Sequence, residues 1–240
     1  NESYSAADFV CDADAALART VAAGKKPIIV GGTMMYLKCL LQGIANLPQT
    51  DASLRDELER ELAERSAQSL HDELATHDPE AAAGIHPNNQ QRLLRALAVV
   101  RATGQPISAQ WRSNDIGTLF ARTGLRHASV VMLPQRRETL HQRIAGRFKQ
   151  MLAAGFLDEV RSLMDRGDVT REMPSMRAVG YRQAWAHLVG ETDHADFVEQ
   201  GIAATRQLAK RQMTWLRKWP DALEVVADTP SQTIDAILGR

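Results

Sequence analysis

Hydrophobic residues recur along most of this chain with the three- to four-residue spacing of an α-helix. In the charged segment 51–65, for example, leucines recur at every fourth position and would form one apolar face. Three short apolar runs, at 27–30, 127–133 and 223–227, lack that spacing and predict strands. The predicted helices cover residues 8–23, 34–42, 51–65, 70–76, a short segment from 78, a segment from 88 or 89 to 103, 136–153, 156–165, 181–188 and 197–219.

The order of these elements predicts an α/β fold with a mostly parallel sheet. The run at 27–30 leads directly into the turn Gly31-Gly32-Thr33 and then into a helix. A strand, a glycine turn and a helix in this order are typical of that class. Residues 50–115 contain only helical patterns and predict an all-helical insertion. The chain is therefore predicted to contain a first part of the core at 1–49, the insertion at 50–115 and a second part of the core at 116–240.

Composition implies that any polyanion must be bound by a local patch of charge. The 240 residues include 29 basic and 29 acidic side chains, and 44% are hydrophobic, which is enough for a substantial core. No apolar run approaches the ~20 residues of a membrane span, and no signal peptide is evident. Cys11 and Cys39 lack disulfide or metal spacing, and no histidine has a partner at metal-ligand spacing. We therefore predict a cytoplasmic protein that holds no metal on its own side chains.

The Gly31-Gly32-Thr33 turn is the first candidate binding element. Backbone N–H groups at the start of the following helix can receive an anion, and the Thr33 hydroxyl can add a hydrogen bond. A tight turn that needs glycine only for its backbone conformation would have the same sequence. Spacing alone leaves both interpretations open.

The segment 201–219 is a second candidate, because it carries basic residues and no acidic one. Arg206, Lys210 and Arg217 would lie within about 40° of one another around a helix. Such a one-signed helix in a protein of zero net charge indicates a polyanion or pyrophosphate partner. Trp215 and Trp219 would point the other way, into the core.

Arginines on two other predicted helices give weaker indications. Gln91, Arg92 and Arg95 would lie opposite an apolar stripe and could hold phosphate oxygens or a base edge. They could equally form an ordinary solvated face. Arg147 could bind a phosphate or pair with a carboxylate such as Asp158.

Four motifs occur in a fixed order along the chain. They are GGTMMYL at 31–37, IHPNNQQR at 85–92, PSMRAVGYRQ at 174–183 and AATRQLAKRQ at 203–212, and WLR follows at 215–217. Together they resemble the bacterial type of the tRNA dimethylallyltransferase (tRNA isopentenyltransferase) family. The resemblance extends from Tyr4 to Pro220.

This resemblance implies a P-loop-kinase-like parallel-sheet core with a helical insertion that contacts the anticodon stem-loop of tRNA. It implies transfer of a dimethylallyl group from dimethylallyl diphosphate to N6 of adenosine 37, with release of diphosphate and with Mg²⁺ as cofactor. The adenine would be flipped out of its stack into a channel. We accordingly expect a cytoplasmic, monomeric, nucleotide-binding transferase that modifies tRNA.

The resemblance also assigns roles to individual residues. Thr33 would lie near the target adenosine and the reacting centre, and Arg147 would contact the diphosphate of the donor. Gly31 and Gly32 would also border the diphosphate. The residues expected to bind tRNA are Arg55, Gln91, Arg92, Leu93, Leu94, Arg95, Arg171, Pro174, Ser175, Met176, Arg177, Ala178, Arg206, Lys210, Arg211 and Arg217.

The chain departs from the family pattern at its start. The family's phosphate-binding loop, and the Asp-Ser-x-Gln motif whose aspartate is the general base, would lie before Asn1. We therefore expect the 240 residues alone to be inactive. Three alternatives stay open: a prenyltransferase of free adenine nucleotides, a non-catalytic RNA-binding module, and a P-loop kinase of a small metabolite. The acid-free segment 201–219 favours RNA over a mononucleotide, which needs no extended basic face.

Overall fold

The structure, a computed structural model, describes residues 4–45, 47, 50–113 and 116–226. These residues divide into two units, which we describe separately. The helical unit contains Ser5–Ile28 and Met35–Leu125, and the sheet unit contains Ile29–Met34 and the described residues from Arg126 onward.

The core of the helical unit is formed by leucines at helical spacing. Leu58, Leu74 and Leu97 are fully buried, so the long helices α3, α4 and α6 pack through the apolar stripes that the sequence predicts. Each such burial stabilises the fold by about 1.5–3 kcal/mol relative to exposure. The helices of this unit are α1 (Ala6–Ala22), α2 (Met34–Gln42, whose first residue belongs to the sheet unit), α3 (Ala52–Glu64), α4 (Ala67–His77), α5 (Pro79–Gly84), α6 (Gln90–Thr103), α7 (Ile107–Ser113) and α8 (Leu119–Thr123).

A network of four charged side chains joins α3, α4 and α6. Arg101 donates to Glu61 at 2.5 Å and to Glu73 at 2.6 Å, and Arg65 donates to the same two carboxylates at 2.9 Å each. The hydrogen bond from Arg101, helped by Arg65, lowers the pKa of Glu61 to about 2. The ionised carboxylate is therefore the form that the fold favours.

The network is expected to make the helical unit sensitive to acid. The folded state holds the pKa of Glu61 near 2, below its ordinary value of 4.5, so the unfolded chain binds more protons between these values. The stabilisation is present above pH 4.5 and is lost as the pH falls towards 2. Urea titrations followed by circular dichroism should show this decline in the wild type and a smaller one in Glu61→Gln.

The exposed Glu64 on the same helix gives a matched control. Glu64→Gln should keep the decline of the wild type. If Glu61→Gln and Glu64→Gln lose the same stability on acidification, the network does not control it.

The sheet unit contains a pair of parallel strands covered by helices. Strand β1 (Ser129–Leu133) pairs with β2 (Ala222–Val226) in a register that places Val131 opposite Glu224. This pairing confirms two of the three predicted strands, although Ala227 lies outside the described residues. The helices of the unit are α9 (Arg137–Ala153), α10 (Phe156–Asp165), α11 (Tyr181–Leu188) and α12 (His194–Leu216). Their core contains Phe148, Phe156, Val160, Ala184 and Phe197.

The third predicted strand is wrong within the described part of the chain. Residues 27–30 adopt no regular secondary structure and pair with no described strand, and Val30 is 90% exposed. A strand needs a neighbour to satisfy its backbone groups, and the apolar pattern could not reveal whether one is present. Helix α8 was not predicted, because five residues are too few to show periodicity.

The core assignment of the two tryptophans is also wrong for one of them. Trp215 is 44% exposed. Trp219 is half-buried, and its indole N–H donates to the hydroxyl of Ser129 on β1 at 3.3 Å. Because α12 ends at Leu216, three residues earlier than predicted, Trp219 lies beyond the helix and does not share the exposed position of Trp215.

Gly201 of α12 packs directly against the ring of Phe148 on α9. A Cβ atom there would lie 2.6 Å from Cε2 and 2.9 Å from Cε1 of Phe148, which is inside van der Waals contact. Because Phe148 is itself buried between Phe156 and Phe197, its ring has little room to move. Only glycine fits at this crossing.

Gly201→Ala is expected to destabilise the sheet unit by about 3 kcal/mol, the upper part of the usual range for overpacking. Gly146→Ala is the matched control, because Gly146 lies within α9 with nothing within 4 Å of a built Cβ. That control should be neutral or slightly stabilising, since alanine favours a helix over glycine. Urea unfolding of both variants measures the difference, and equal stabilities would contradict the close packing described here.

Candidate functional site

A cavity of about 370 Å³ lies between the first turns of α9 and the last turns of α12. The apolar residues that line it are Leu140, Ala203, Ala209 and Met213. The polar residues that line it are Arg137, His141, Arg206, Gln207, Lys210, Thr214 and Arg217.

The cavity wall is strongly cationic. Arg206 and Lys210 extend from α12, and Arg217 follows its last residue in helical conformation, so the three share one stripe, because residues four and seven apart on a helix share a face. No Asp or Glu is among the described residues that line the cavity. Nor is an ion pair or hydrogen bond described for these three side chains. The arrangement can therefore accept a phosphate-bearing ligand without first breaking ion pairs within this part of the chain.

The Gly-Gly-Thr turn lies beside α12. The side-chain amide of Gln212 donates to the backbone carbonyl of Gly32 at 2.9 Å. A Cβ atom on Gly32 would lie 2.5 Å from Nε2 of Gln212, whereas nothing lies within 4 Å of a Cβ on Gly31. A side chain at position 32 would therefore displace the amide of Gln212 from its hydrogen bond to the turn. Thr33 is exposed and immediately precedes α2.

On α9 and α12 the structure places two of the predicted basic residues outside the cavity. Arg147 is exposed on α9, and no ion pair is described for it in the resolved ranges; Asp158, the alternative partner, instead pairs with Arg161 at 2.6 Å. Arg211 is exposed on α12 but does not line the cavity. Their binding roles remain predictions.

The loop before α11 carries another part of the predicted tRNA-binding set. Arg171 forms a two-pronged ion pair with Glu191, with bonds of 2.6 and 3.0 Å. Met176 is buried, so it can position the loop but offers no surface to RNA. Pro174, Ser175, Arg177 and Ala178 are exposed.

In the helical unit two predicted arginines converge on one residue. Arg95 donates to the hydroxyl of Thr50 at 2.9 Å, and Arg55 donates to its backbone carbonyl at 3.3 Å. Burial and then the nearby positive charge of Arg55 lower the pKa of Arg95. An anion at this place would relieve the repulsion between the two guanidinium groups.

The neighbouring residues of α6 are divided between surface and core. Gln91 and Arg92 are exposed, and Leu94 is half-buried. Leu93 is fully buried in the core of the helical unit, where RNA cannot reach it. Thus Leu93 alone among the five predicted residues of this segment has no surface for binding.

Sequence reasoning missed four residues that shape these sites. Thr50 and Gln212 act through contacts between distant parts of the chain, which no local pattern reveals. Arg137 and His141 could have been found, because a basic residue and a histidine four apart share a helix face.

Among the described residues, no group of three or more His, Cys, Asp or Glu side chains could hold a metal ion. No helix in the described ranges is both long and apolar enough to cross a bilayer.

A parallel strand pair covered by helices is typical of an α/β protein, and a cavity with cations and no acid among its described lining residues suits a phosphate-bearing ligand. The family model described as IPP transferase matches residues 1–219. The chain belongs to the IPP transferase family, and its core has the P-loop-kinase-like fold that the sequence predicts.

Individual relatives agree with this assignment. A tRNA dimethylallyltransferase of Thiobacillus denitrificans is 50% identical over 230 residues, which cover 95% of this chain and 72% of that protein. The crystal structure of a full-length tRNA isopentenylpyrophosphate transferase of Bacillus halodurans matches 99% of this chain and 74% of its own, with 31% identity and a TM-score of 0.59. A eukaryotic dimethylallyltransferase, captured in crystallographic snapshots of its action on tRNA, matches 100% of this chain and 63% of its own, with 25% identity and a TM-score of 0.70.

Proposed function

We propose that this protein transfers a dimethylallyl group from dimethylallyl diphosphate to N6 of adenosine 37 in tRNA and releases diphosphate. Family membership and the names of the relatives support a tRNA prenyltransferase. The observation that carries the proposal is the acid-free wall of the cavity, formed by cations of α12. Such a wall suits a polyanionic substrate, whereas an apolar acceptor would need no cations.

The reaction fixes what the protein must stabilise. The bond between the allylic carbon and the diphosphate oxygen breaks, a bond to the N6 nitrogen forms, and the amine loses a proton to a base. Negative charge grows on the leaving diphosphate, and exposed guanidinium groups such as that of Arg147 are suited to stabilise it. Loss of one such contact would cost about 2–4 kcal/mol of transition-state stabilisation. The base is not assigned to a described residue, because no carboxylate among them lines the cavity.

Mg²⁺ is proposed as the cofactor, carried by the substrate. The described residues offer no cluster of three acidic, histidine or cysteine ligands for it. They therefore do not fit a metal held entirely by protein side chains. Mg²⁺ commonly binds through substrate phosphates and retained waters, and this mode is consistent with the described residues.

The test is a transfer reaction with separate acceptors. Protein expressed from the complete gene is incubated with dimethylallyl diphosphate, Mg²⁺ and either an anticodon stem-loop or free AMP, and nucleosides are analysed by mass spectrometry. We expect dimethylallyladenosine only from the stem-loop. A stem-loop with guanosine at position 37 is the control and should give no product.

Other outcomes have defined meanings. Product from AMP but not from the stem-loop would instead support an adenine-nucleotide isopentenyltransferase. Stem-loop binding without any product would support a non-catalytic RNA-binding module. We further propose a monomeric, cytoplasmic enzyme, and light scattering after gel filtration tests its oligomeric state.

A further inference from the structure

Two side chains on α9 form the wall of the cavity opposite the cations of α12. Arg137 and His141 line the same cavity as Arg206, Lys210 and Arg217. Both lie outside the four sequence motifs, and neither is needed for the core of the sheet unit. Their positions in the cavity wall therefore indicate a role in ligand binding.

The two side chains are coupled by a hydrogen bond. Nε of Arg137 donates to Nε2 of His141 over 3.4 Å, one helical turn away. A guanidinium group can only donate, so Nε2 of His141 must present its lone pair. This bond uses Nε of Arg137 and leaves both terminal nitrogens available for a ligand. Holding the long side chain in one orientation also reduces the entropy lost on binding.

The charges that face His141 from each packed element are consistent with this role. On α9 itself the neighbouring cation is Arg137, and α12 contributes Arg206, Lys210 and Arg217 to the cavity. No described carboxylate lines the cavity, so His141 has no acidic competitor for its hydrogen bond to Arg137.

The spacing of the cations indicates the kind of ligand. Arg206 and Arg217 are eleven residues apart on or just after α12, which corresponds to about 16 Å along a helix. A single diphosphate group is much shorter than this, whereas successive phosphates of an RNA strand extend over such a distance. Arg137 thus faces a row of cations that suits a phosphodiester backbone.

We propose that Arg137, oriented by His141, binds a phosphodiester group of tRNA in the cavity between α9 and α12, opposite Arg206, Lys210 and Arg217. In this arrangement the RNA strand is gripped from two helices and not from α12 alone. His141 is a positioning residue, because it acts through Arg137. The proposal rests on the proposed function, since it presumes that tRNA is the polyanion bound.

The test compares variants of the protein, expressed from the complete gene as in the transfer assay, in fluorescence-anisotropy titrations of an anticodon stem-loop at several salt concentrations. Arg137→Ala should weaken binding about tenfold and reduce the slope of log K against log salt by roughly 0.7–0.9, the loss of one phosphate contact. His141→Leu should weaken binding by a smaller factor. His141→Gln should bind the stem-loop about as tightly as the wild type, because the glutamine oxygen can accept the hydrogen bond from Arg137.

Arg136→Ala is the matched control, since Arg136 has the same charge and precedes Arg137 but does not line the cavity. Arg137→Lys keeps the charge and should retain the wild-type salt slope with a smaller loss of affinity. This variant also serves if Arg137→Ala proves unfolded by circular dichroism.

Three outcomes would overturn the inference. Arg137→Ala could bind the stem-loop as tightly as Arg136→Ala does. Arg137→Ala could lose affinity for inorganic diphosphate, titrated separately, while stem-loop affinity is unchanged; the site would then bind the donor and not RNA. If His141→Gln and His141→Leu bind equally weakly, the orienting role of His141 is wrong. A wild-type chain that binds no stem-loop would instead remove the proposed function, on which this inference rests.

Discussion

Replacing Arg206, Lys210 and Arg217 together with alanine is expected to weaken binding of an anticodon stem-loop by about two to three orders of magnitude. Each side chain projects into the same cavity, and no carboxylate among the described lining residues screens it. A hydrogen bond between charged groups contributes about 1.5–3 kcal/mol, so each single substitution should cost roughly tenfold or more. The effects should add only approximately, because the three cations share one cavity.

The measurement is the dissociation constant of the stem-loop at about 50–200 mM salt. The triple variant should reduce the slope of log K against log salt by roughly two to three. Each lost phosphate contact removes slightly less than one released counterion from that slope. Affinity for dimethylallyl diphosphate should change little, because the span of the cations suits an RNA strand.

Arg161→Ala combined with Arg166→Ala is the control for a general loss of positive charge. Both arginines lie on or next to α10, and they pair with Asp158 and Asp168. This double variant should bind the stem-loop nearly as the wild type does. An equal loss of affinity in the double and triple variants would show that net charge, and not the cavity, determines binding.

The helices were predictable because their information is local. The leucine stripe of α3 and the glycine that ends α6 in a left-handed conformation, Gly104, can both be read within a few turns of sequence. The same is true of the convergence of Arg206, Lys210 and Arg217, which follows from helical geometry alone. Parts of the site that lie on one helix could therefore be predicted.

The remaining parts of the site depend on contacts between distant segments. Gln212 meets Gly32 across 180 positions of sequence, and Phe148 requires a glycine at 201. Neither requirement leaves a periodic signal. The apolar run at 27–30 illustrates the opposite error, since its composition favours a strand while no described neighbour pairs with it. Whether a polar residue lines a cavity or faces solvent is decided by packing, and only the structure places Arg137 opposite α12.

Asp78 is a charged residue buried in the core of the helical unit. It is 1% exposed, and its carboxylate accepts hydrogen bonds from the backbone N–H of Ala81 at 3.0 Å and from the hydroxyl and N–H of Ser108 at 2.7 and 2.9 Å. Burial alone would raise the pKa of Asp78, but the hydrogen bonds from Ser108 and Ala81 outweigh it and lower the pKa. The residue thus caps α5 and joins it to α7 as an anion.

Asp78→Ala is expected to destabilise the helical unit by about 3–5 kcal/mol. It removes a helix cap and leaves three buried donors without an acceptor, each of which costs about 1–3 kcal/mol when unsatisfied. Asp78→Asn should cost less, because one carbonyl oxygen remains to accept. Asp51→Ala is the matched control: Asp51 also caps a helix, but it is exposed and should cost only about 0.5–2 kcal/mol. Urea unfolding, with hydrogen exchange over residues 67–113, measures these differences, and equal losses in Asp78→Ala and Asp51→Ala would show that the buried hydrogen bonds add nothing to the cap.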